Sequence, residues 1–267
     1  MSKLLEKLQR ISEGRAQPLG FEAAITRAKS SQMLLIAGVT AGDAKLSALA
    51  AKAGADALLL TVDQRKKDGE VMAQIRSTKA DITWGVSLEA VTRKEIEQLA
   101  EMKCDFVVFA PDKTPAAVLG EERMGKVLQI DHSLSDNLTK TIARIPIDAV
   151  LLSPLSEDKS PLTIHQLMLY EQLAGGVGKH LLAVMPPGLP SEDLESLWSL
   201  GVRGVVVDIS VERAEQRLSE VKEAIQKLPT KRRKAGGRIG AIVPLAREGA
   251  APTPPEEEDD DDDGDDI

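Results

Sequence analysis

Eight short, unbroken apolar runs punctuate the first 229 residues: MLLIAGV from residue 33, ALLLTV from 57, ITWGVS from 82, DFVVFA from 105, KVLQI from 126, IDAVLLS from 147, LLAVMP from 181 and RGVVVDI from 203. Their starts fall 24, 25, 23, 21, 21, 34 and 22 residues apart. Continuous rather than alternating apolarity marks strands buried on both faces, as in a parallel sheet. The intervening stretches carry helical spacing. The clearest stripe is Val211, Ala214, Leu218, Val221, Ile225 and Leu228, which places one apolar face on a helix over 211–228. In SPLTIHQLMLYEQLAGG, Ser160 reads as the N-cap, Pro161 as the first helical residue and Gly175 as the stop. Ser191 reads as the cap of EDLESLWSLG, whose two leading acids suit the positive end of the helix dipole. After the fourth run, KTPAAVLGEERMG has room for only a short helix.

Eight strands alternating with helices predict an α/β chain folded as a (β/α)8 TIM barrel. An open doubly wound sheet is the second possibility, but no G-x-G-x-x-G turn follows the first run, which argues against a dinucleotide-binding version. Three segments are expected. Residues 1–28, opening with the mixed-charge amphipathic MSKLLEKLQRISEG, form an N-terminal helical extension outside the barrel or closing its bottom. Residues 29–229 form the barrel. Residues 230–267 have Pro, Gly and charge blocks without periodicity, and read as a disordered tail, first basic and then acidic.

Composition refines this picture. The chain is 42% hydrophobic but only 2% aromatic, so its core is built from Leu, Val, Ile and Ala rather than around a ring-walled pocket. The net charge of −8 belongs to the tail. EEEDDDDDGDDI (256–267) carries ten carboxylates, and residues 230–250 carry six bases against Glu248, which leaves residues 1–229 at −3. The acidic run is either a solubilising segment or a hook for a basic protein. A nucleic-acid partner is not expected, because the basic block has no interleaved aromatics and sits beside those carboxylates. The single cysteine, Cys104, permits neither an internal disulfide nor a cysteine zinc cluster, and reads as a small buried residue. No run reaches membrane-spanning length and no signal-peptide core is present, so a cytoplasmic location without membrane attachment is expected.

The joints AKAGADALLL, EMKCDFVVF and SLGVRGVVV resemble the helix-to-strand joints of the aldolase-type and phosphate-binding TIM barrels, a group including aldolases, small decarboxylases and flavin-dependent nitronate monooxygenases. The resemblance spans residues 33–228 and implies an active site at the C-terminal ends of the strands. Two of the group's functional marks are missing. Phosphate-binding members carry Gly-rich loops after strands seven and eight; here those loops read MPPGLPSED and VDISVERAE. The two prolines remove amide donors and Asp208 repels an anion, which argues against a phosphate ester and against FMN held in the usual way. A flavin-dependent, nitronate-monooxygenase-like barrel remains a third reading implied by the resemblance. A Schiff-base aldolase needs a lysine inside the barrel. Lys126 opens a strand at the wrong end, and Lys113, just past the fourth run, is the one lysine at the expected mouth.

Reading the strand ends gives Thr40 and Asp43, Thr61 and Asp63, Ser87, Asp112 and Lys113, Asp131 and His132, Ser153, the Pro186–Pro187–Gly188 turn, and Asp208. The catalytic candidates are Asp131, His132 and Lys113. Asp63, Asp112, Asp131 and Asp208 are the candidate ligands of a divalent metal, Mg²⁺ or Mn²⁺, whose hard oxygen preference they match. The competing reading is that these aspartates cap the helices and turns that follow. His165, within a helix, and His180, just before a strand, read as surface or packing residues. Two functions follow as expectations: a lyase- or aldolase-like enzyme acting on a small carbonyl compound, or a non-catalytic barrel scaffold whose acidic tail binds a basic partner.

Overall fold

The computed structural model describes residues 2–13, 31–62, 68–78, 81–154, 161–186, 189–210 and 213–229. Eight parallel strands close on themselves in sequence order: β1 (Leu34–Thr40), β2 (Ala57–Thr61), β3 (Trp84–Leu88), β4 (Phe106–Phe109), β5 (Gly125–Ile130), β6 (Ala149–Leu152), β7 (His180–Met185) and β8 (Val202–Asp208), with β8 pairing back onto β1. Every strand begins within two residues of its expected position. The helices are α1 (Lys3–Ser12), α2 (Ala44–Lys52), α3 (Asp68–Ser77), α4 (Arg93–Glu101), α5 (Asp136–Ile142), α6 (Ile164–Val177), α7 (Leu194–Ser199) and α8 (Ala214–Lys227). The thin fourth unit is a five-residue 3₁₀ turn, Ala116–Gly120. The chain is therefore a (β/α)8 barrel, as the spacing predicts.

The recurring joint has a common geometry. α2 and α4 each end in a residue with positive φ, Gly54 (77°) and Lys103 (60°). The next amide then reaches five residues back, Ala55 N to Ala50 O and Cys104 N to Leu99 O, both 3.0 Å, which closes the helix end in the Schellman manner. The aspartate that follows is a stitch between strands. The Asp56 carboxylate accepts the Leu35 amide of β1 (2.9 Å), and Asp148 accepts the Lys126 amide of β5 (2.7 Å). The repeated aspartate of the joint thus satisfies strand-edge donors at the bottom of the barrel, far from any chemistry.

Asp105 occupies the same place before β4 but holds something else. Its carboxylate accepts Ser2 Oγ (2.7 Å), Lys3 N (2.7 Å) and Leu4 N (2.9 Å), fixing the N-terminus of α1 where free amides and the helix dipole favour an anion. α1 closes the bottom: Leu4 and Leu8 are fully buried against Leu34, Ile36, Phe106, Val127 and Leu182 of the barrel interior. Of the extension expected over 1–28, residues 14–28 lie outside the described residues.

Inside the barrel, large side chains fill space left by glycines. A Cβ on Gly85 would stand 2.5 Å from the Phe106 ring, and one on Gly204 would stand 2.6 Å from Leu182. This large–small alternation packs a narrow interior without aromatic walls. The interior and exterior faces alternate along each strand. Leu34, Ile36, Ala57, Leu59, Phe106, Val108, Val127, Ala149, Leu151, Leu182 and Val206 form the inner core with α1, and the residues between them pack outward under the helices.

Two helix boundaries differ from expectation. α6 is capped by Thr163, not Ser160: Thr163 Oγ1 accepts the Gln166 amide while Gln166 returns a bond to the Thr163 amide. This reciprocal capping box satisfies two terminal donors at once; Ser160 lies outside the described residues. The helix also runs through Gly175 and ends at Gly178, whose left-handed conformation stops it; Gly176 lets α5 pack close, its missing Cβ facing Thr139. Ser191 opens a 3₁₀ turn before α7 rather than α7 itself. Asp193, at that boundary, turns its carboxylate to the Leu162 amide (2.9 Å). Among the described residues no helix is long and apolar enough to cross a membrane.

Candidate active site at the C-terminal face

Alternation along the strands sets which side chains enter the mouth. Extending the inward positions of each strand to its C-terminal end brings in Thr40, Thr61, Ser87, Gln129, Ser153 and Asp208. The strand register places Thr40 beside Thr61 and Thr61 beside Ser87. Gln129 Nε2 donates to Ser153 Oγ (3.0 Å) across β5 and β6, and Thr40 Oγ1 lies 3.3 Å from Ser210 Oγ. The upper layer of the barrel is therefore a belt of hydroxyl and amide groups. Gln129 is not among the candidates that the strand ends offer; its signal is a polar residue inside the otherwise apolar stretch VLQI.

Part of the belt lies in a cleft over β3–β6. This cleft, of about 430 Å³, is lined by Ser87, Glu89, Asp112, Gln129, Asp131 and Ser153, with Leu88, Ala110, Pro111, Ile130 and Leu134 supplying apolar walls. Its volume suits a small molecule. Ser87, Gln129 and Ser153 are half-buried at its floor, while Asp112 and Asp131 are exposed on its rim. Among the described residues the lining carries three carboxylates and no basic side chain.

The catalytic candidates separate. Asp131 lines this cleft. Its Oδ1 accepts both the amide (2.8 Å) and the hydroxyl (2.5 Å) of Ser133. Those bonds, with a smaller contribution from the charge of His132, hold the carboxyl below its ordinary range, so it is ionised at neutral pH. His132 is exposed and does not line the cleft. Lys113 forms an ion pair with Glu89, which does line the cleft; its ammonium is committed to that carboxylate at the rim. Among the described residues no lysine occupies an inward barrel position. Lys126 is buried on the outer side, where Nζ donates to Leu119 O (3.0 Å) and Glu121 O (2.8 Å) and closes the end of the 3₁₀ turn.

The aspartates at the strand ends carry much local structure. Asp43 caps α2, accepting the Lys45 (3.1 Å) and Leu46 (3.0 Å) amides. Asp208 accepts the Ser210 amide at 2.8 Å, the same turn that Asp131 makes with Ser133. Two D-x-S triplets, Asp131-His132-Ser133 and Asp208-Ile209-Ser210, therefore fold alike. Among the described residues no three Asp, Glu, His or Cys stand close enough to share a metal ion. Asp112, Asp131 and Asp208 thus do not assemble a metal cluster, and Asp63 lies outside the described residues. Cys104 is buried and its thiol is pushed up to about 12 by that burial, which makes it inert as a nucleophile. His180 opens β7 at the opposite end of the barrel, Nδ1 3.1 Å from Ser12 Oγ, and burial lowers its pKa.

No protein-family model and no curated protein matches the chain. Solved structures do. Tryptophan synthase from M. tuberculosis, in an open form with BRD0059 bound, aligns over 84% of this chain and 99% of its own with a TM-score of 0.56 at 12% identity. A mutant tryptophan synthase alpha-subunit from Pyrococcus furiosus aligns over 73% and 97% with a TM-score of 0.53 at 18% identity. Phosphoribosyl anthranilate isomerase from Thermus thermophilus aligns over 72% and 98% with a TM-score of 0.52 at 15% identity. At such identities the likeness establishes the (β/α)8 barrel fold and not an activity.

Proposed function

We propose that the chain is an enzyme with its active site in the cleft over β3–β6, where it carries out a lyase- or aldolase-like reaction on a small carbonyl compound. The observation that carries this reading is the placement of an ionised carboxylate, Asp131, over inward hydroxyl and amide donors at the face where this fold does its chemistry. In an aldol cleavage, the Asp131 carboxylate accepts the proton of the substrate's β-hydroxyl. The O–H pair becomes the new carbonyl, the Cα–Cβ bond breaks, and its electrons pass to the other carbonyl as an enolate. The Ser153 hydroxyl, whose oxygen accepts from Gln129, donates to the enolate oxygen as charge develops there. The proton held by Asp131 then returns to carbon and completes the second product. Glu89, neutralised by Lys113, borders the site.

A divalent ion such as Mg²⁺ or Mn²⁺ could supply further enolate stabilisation through the rim carboxylates, but the described residues offer no cluster of three to hold it, so no step depends on it. The test is a carbonyl-release assay over small hydroxycarbonyl compounds, with and without Mg²⁺ or Mn²⁺. Asp131→Asn is expected to lower kcat at least about a hundredfold; wild-type activity in that variant would refute the assignment. The tail supports a second reading, that residues 256–267, with ten carboxylates, bind a basic protein. Recovering identical partners with and without residues 230–267 would dispose of it.

A further inference from the structure

Resting on that reading of the cleft, we infer that its substrate is a neutral polyhydroxylated carbonyl compound, a small sugar without phosphate or carboxylate, whose hydroxyls are read by Ser87, Gln129 and Ser153. Two independent features point this way. The floor is made of groups that both donate and accept: two hydroxyls and a primary amide, with Gln129 and Ser153 already bonded to each other at 3.0 Å. Such groups match the dual character of sugar hydroxyls and discriminate strongly against analogues that lack them, because the protein's own polar atoms would be left unpaired. The walls and rim then select against charge. Glu89, Asp112 and Asp131 line the cleft without a basic side chain among the described lining residues, and the nearby Lys113 is spent on Glu89. With Glu89 paired, an anionic substituent entering there meets the carboxylates of Asp112 and Asp131.

The cleft volume of about 430 Å³ accommodates a chain of roughly four to six carbons with its hydration replaced by the floor groups. The other mouth residues extend the same chemistry. Thr40, Thr61 and Ser210 continue the hydroxyl belt over β8, β1 and β2, and Asp208, beside them, adds another carboxylate where an anion would have to sit.

The experiment is ligand-detected NMR with the full chain and three probes: D-fructose, D-fructose 6-phosphate and D-gluconate. The result expected is binding of D-fructose, with the phosphate and the carboxylate each at least about tenfold weaker. Ser153→Ala and Gln129→Leu are expected to weaken D-fructose at least about tenfold, while the amide spectrum of each variant stays dispersed and folded. Equal or tighter binding of either anion at the cleft overturns the inference while leaving the cleft as the site. D-fructose binding unchanged by both substitutions places the ligand elsewhere and overturns the site reading as well. Binding of none of the probes overturns the inference, and the activity of Asp131→Asn then decides the site separately.

Discussion

Asp105→Ala should release α1 from the barrel without opening the barrel. The wild-type carboxylate accepts three bonds from the start of α1, at 2.7, 2.7 and 2.9 Å. The Lys3 amide lies at an exposed position and regains water on substitution; the Ser2 hydroxyl and Leu4 amide are partly buried and do not regain it fully. Losing an N-terminal partner costs about 0.5–2 kcal/mol, and stranding partly buried donors adds about 1 kcal/mol or more. A total near 3 kcal/mol corresponds to roughly a hundredfold shift in the docking equilibrium. The barrel ladder at this point runs through main-chain bonds, Asp105 N to Trp84 O and Gly125 N to Asp105 O, which the substitution leaves intact. Native-state hydrogen exchange resolves the two: amides of α1 should lose protection about a hundredfold while those of β1 and β8 keep theirs. Unchanged protection in α1 would refute the account of Asp105, and an equal loss across the strands would show that α1 is not a separately docked element.

Lys103→Gly should stabilise the protein by about 0.5 kcal/mol in urea unfolding, because relief of the left-handed strain at φ 60°, about 1 kcal/mol or more, exceeds the extra unfolded-state entropy of glycine; a lower urea midpoint would contradict it. Gly85→Ala should cost about 2 kcal/mol, since its Cβ would meet Phe106 at 2.5 Å, and adding Phe106→Leu should recover part of the loss in a double-mutant cycle. Acid titration should find Glu121 at about 2, depressed from 4.5 first by the Arg123 side chain. That depression stabilises the fold above about pH 4.5 and is lost as pH falls towards 2, so Glu121→Gln should flatten this part of the acid unfolding curve. Carboxyl-detected NMR should place Asp131 below 3.8, and Ser133→Ala should move it back up; no movement would remove Ser133 as the cause.

Strand positions were legible because each strand is buried on both faces, which makes its run of apolar residues continuous and easy to find. The same burial hid the site. With both faces apolar, the period-two signal is erased, and nothing in KVLQI or VRGVVVD reveals which side chains enter the barrel until closure of β8 onto β1 fixes the parity. Without that parity the strand ends offer Asp131 beside His132 and Asp112 beside Lys113, and do not mark out Gln129. Loop aspartates stand out in a sequence because they are charged, yet Asp43, Asp131 and Asp208 each hold backbone amides of the turn that follows, a local task that short carboxylates perform at many strand-to-helix turns. The D-x-S triplets at 131 and 208 carried that information in plain view. Capping does not exhaust Asp131, because the Ser133 bonds engage only Oδ1 and leave the ionised group on the rim of the cleft. What distinguishes it from Asp43 is therefore position alone: both close a turn, but only Asp131 stands above the inward pair Gln129–Ser153. The candidate site is thus defined by where the inward layer and the turns coincide, over β5 and β6, rather than by the number of acids at the mouth.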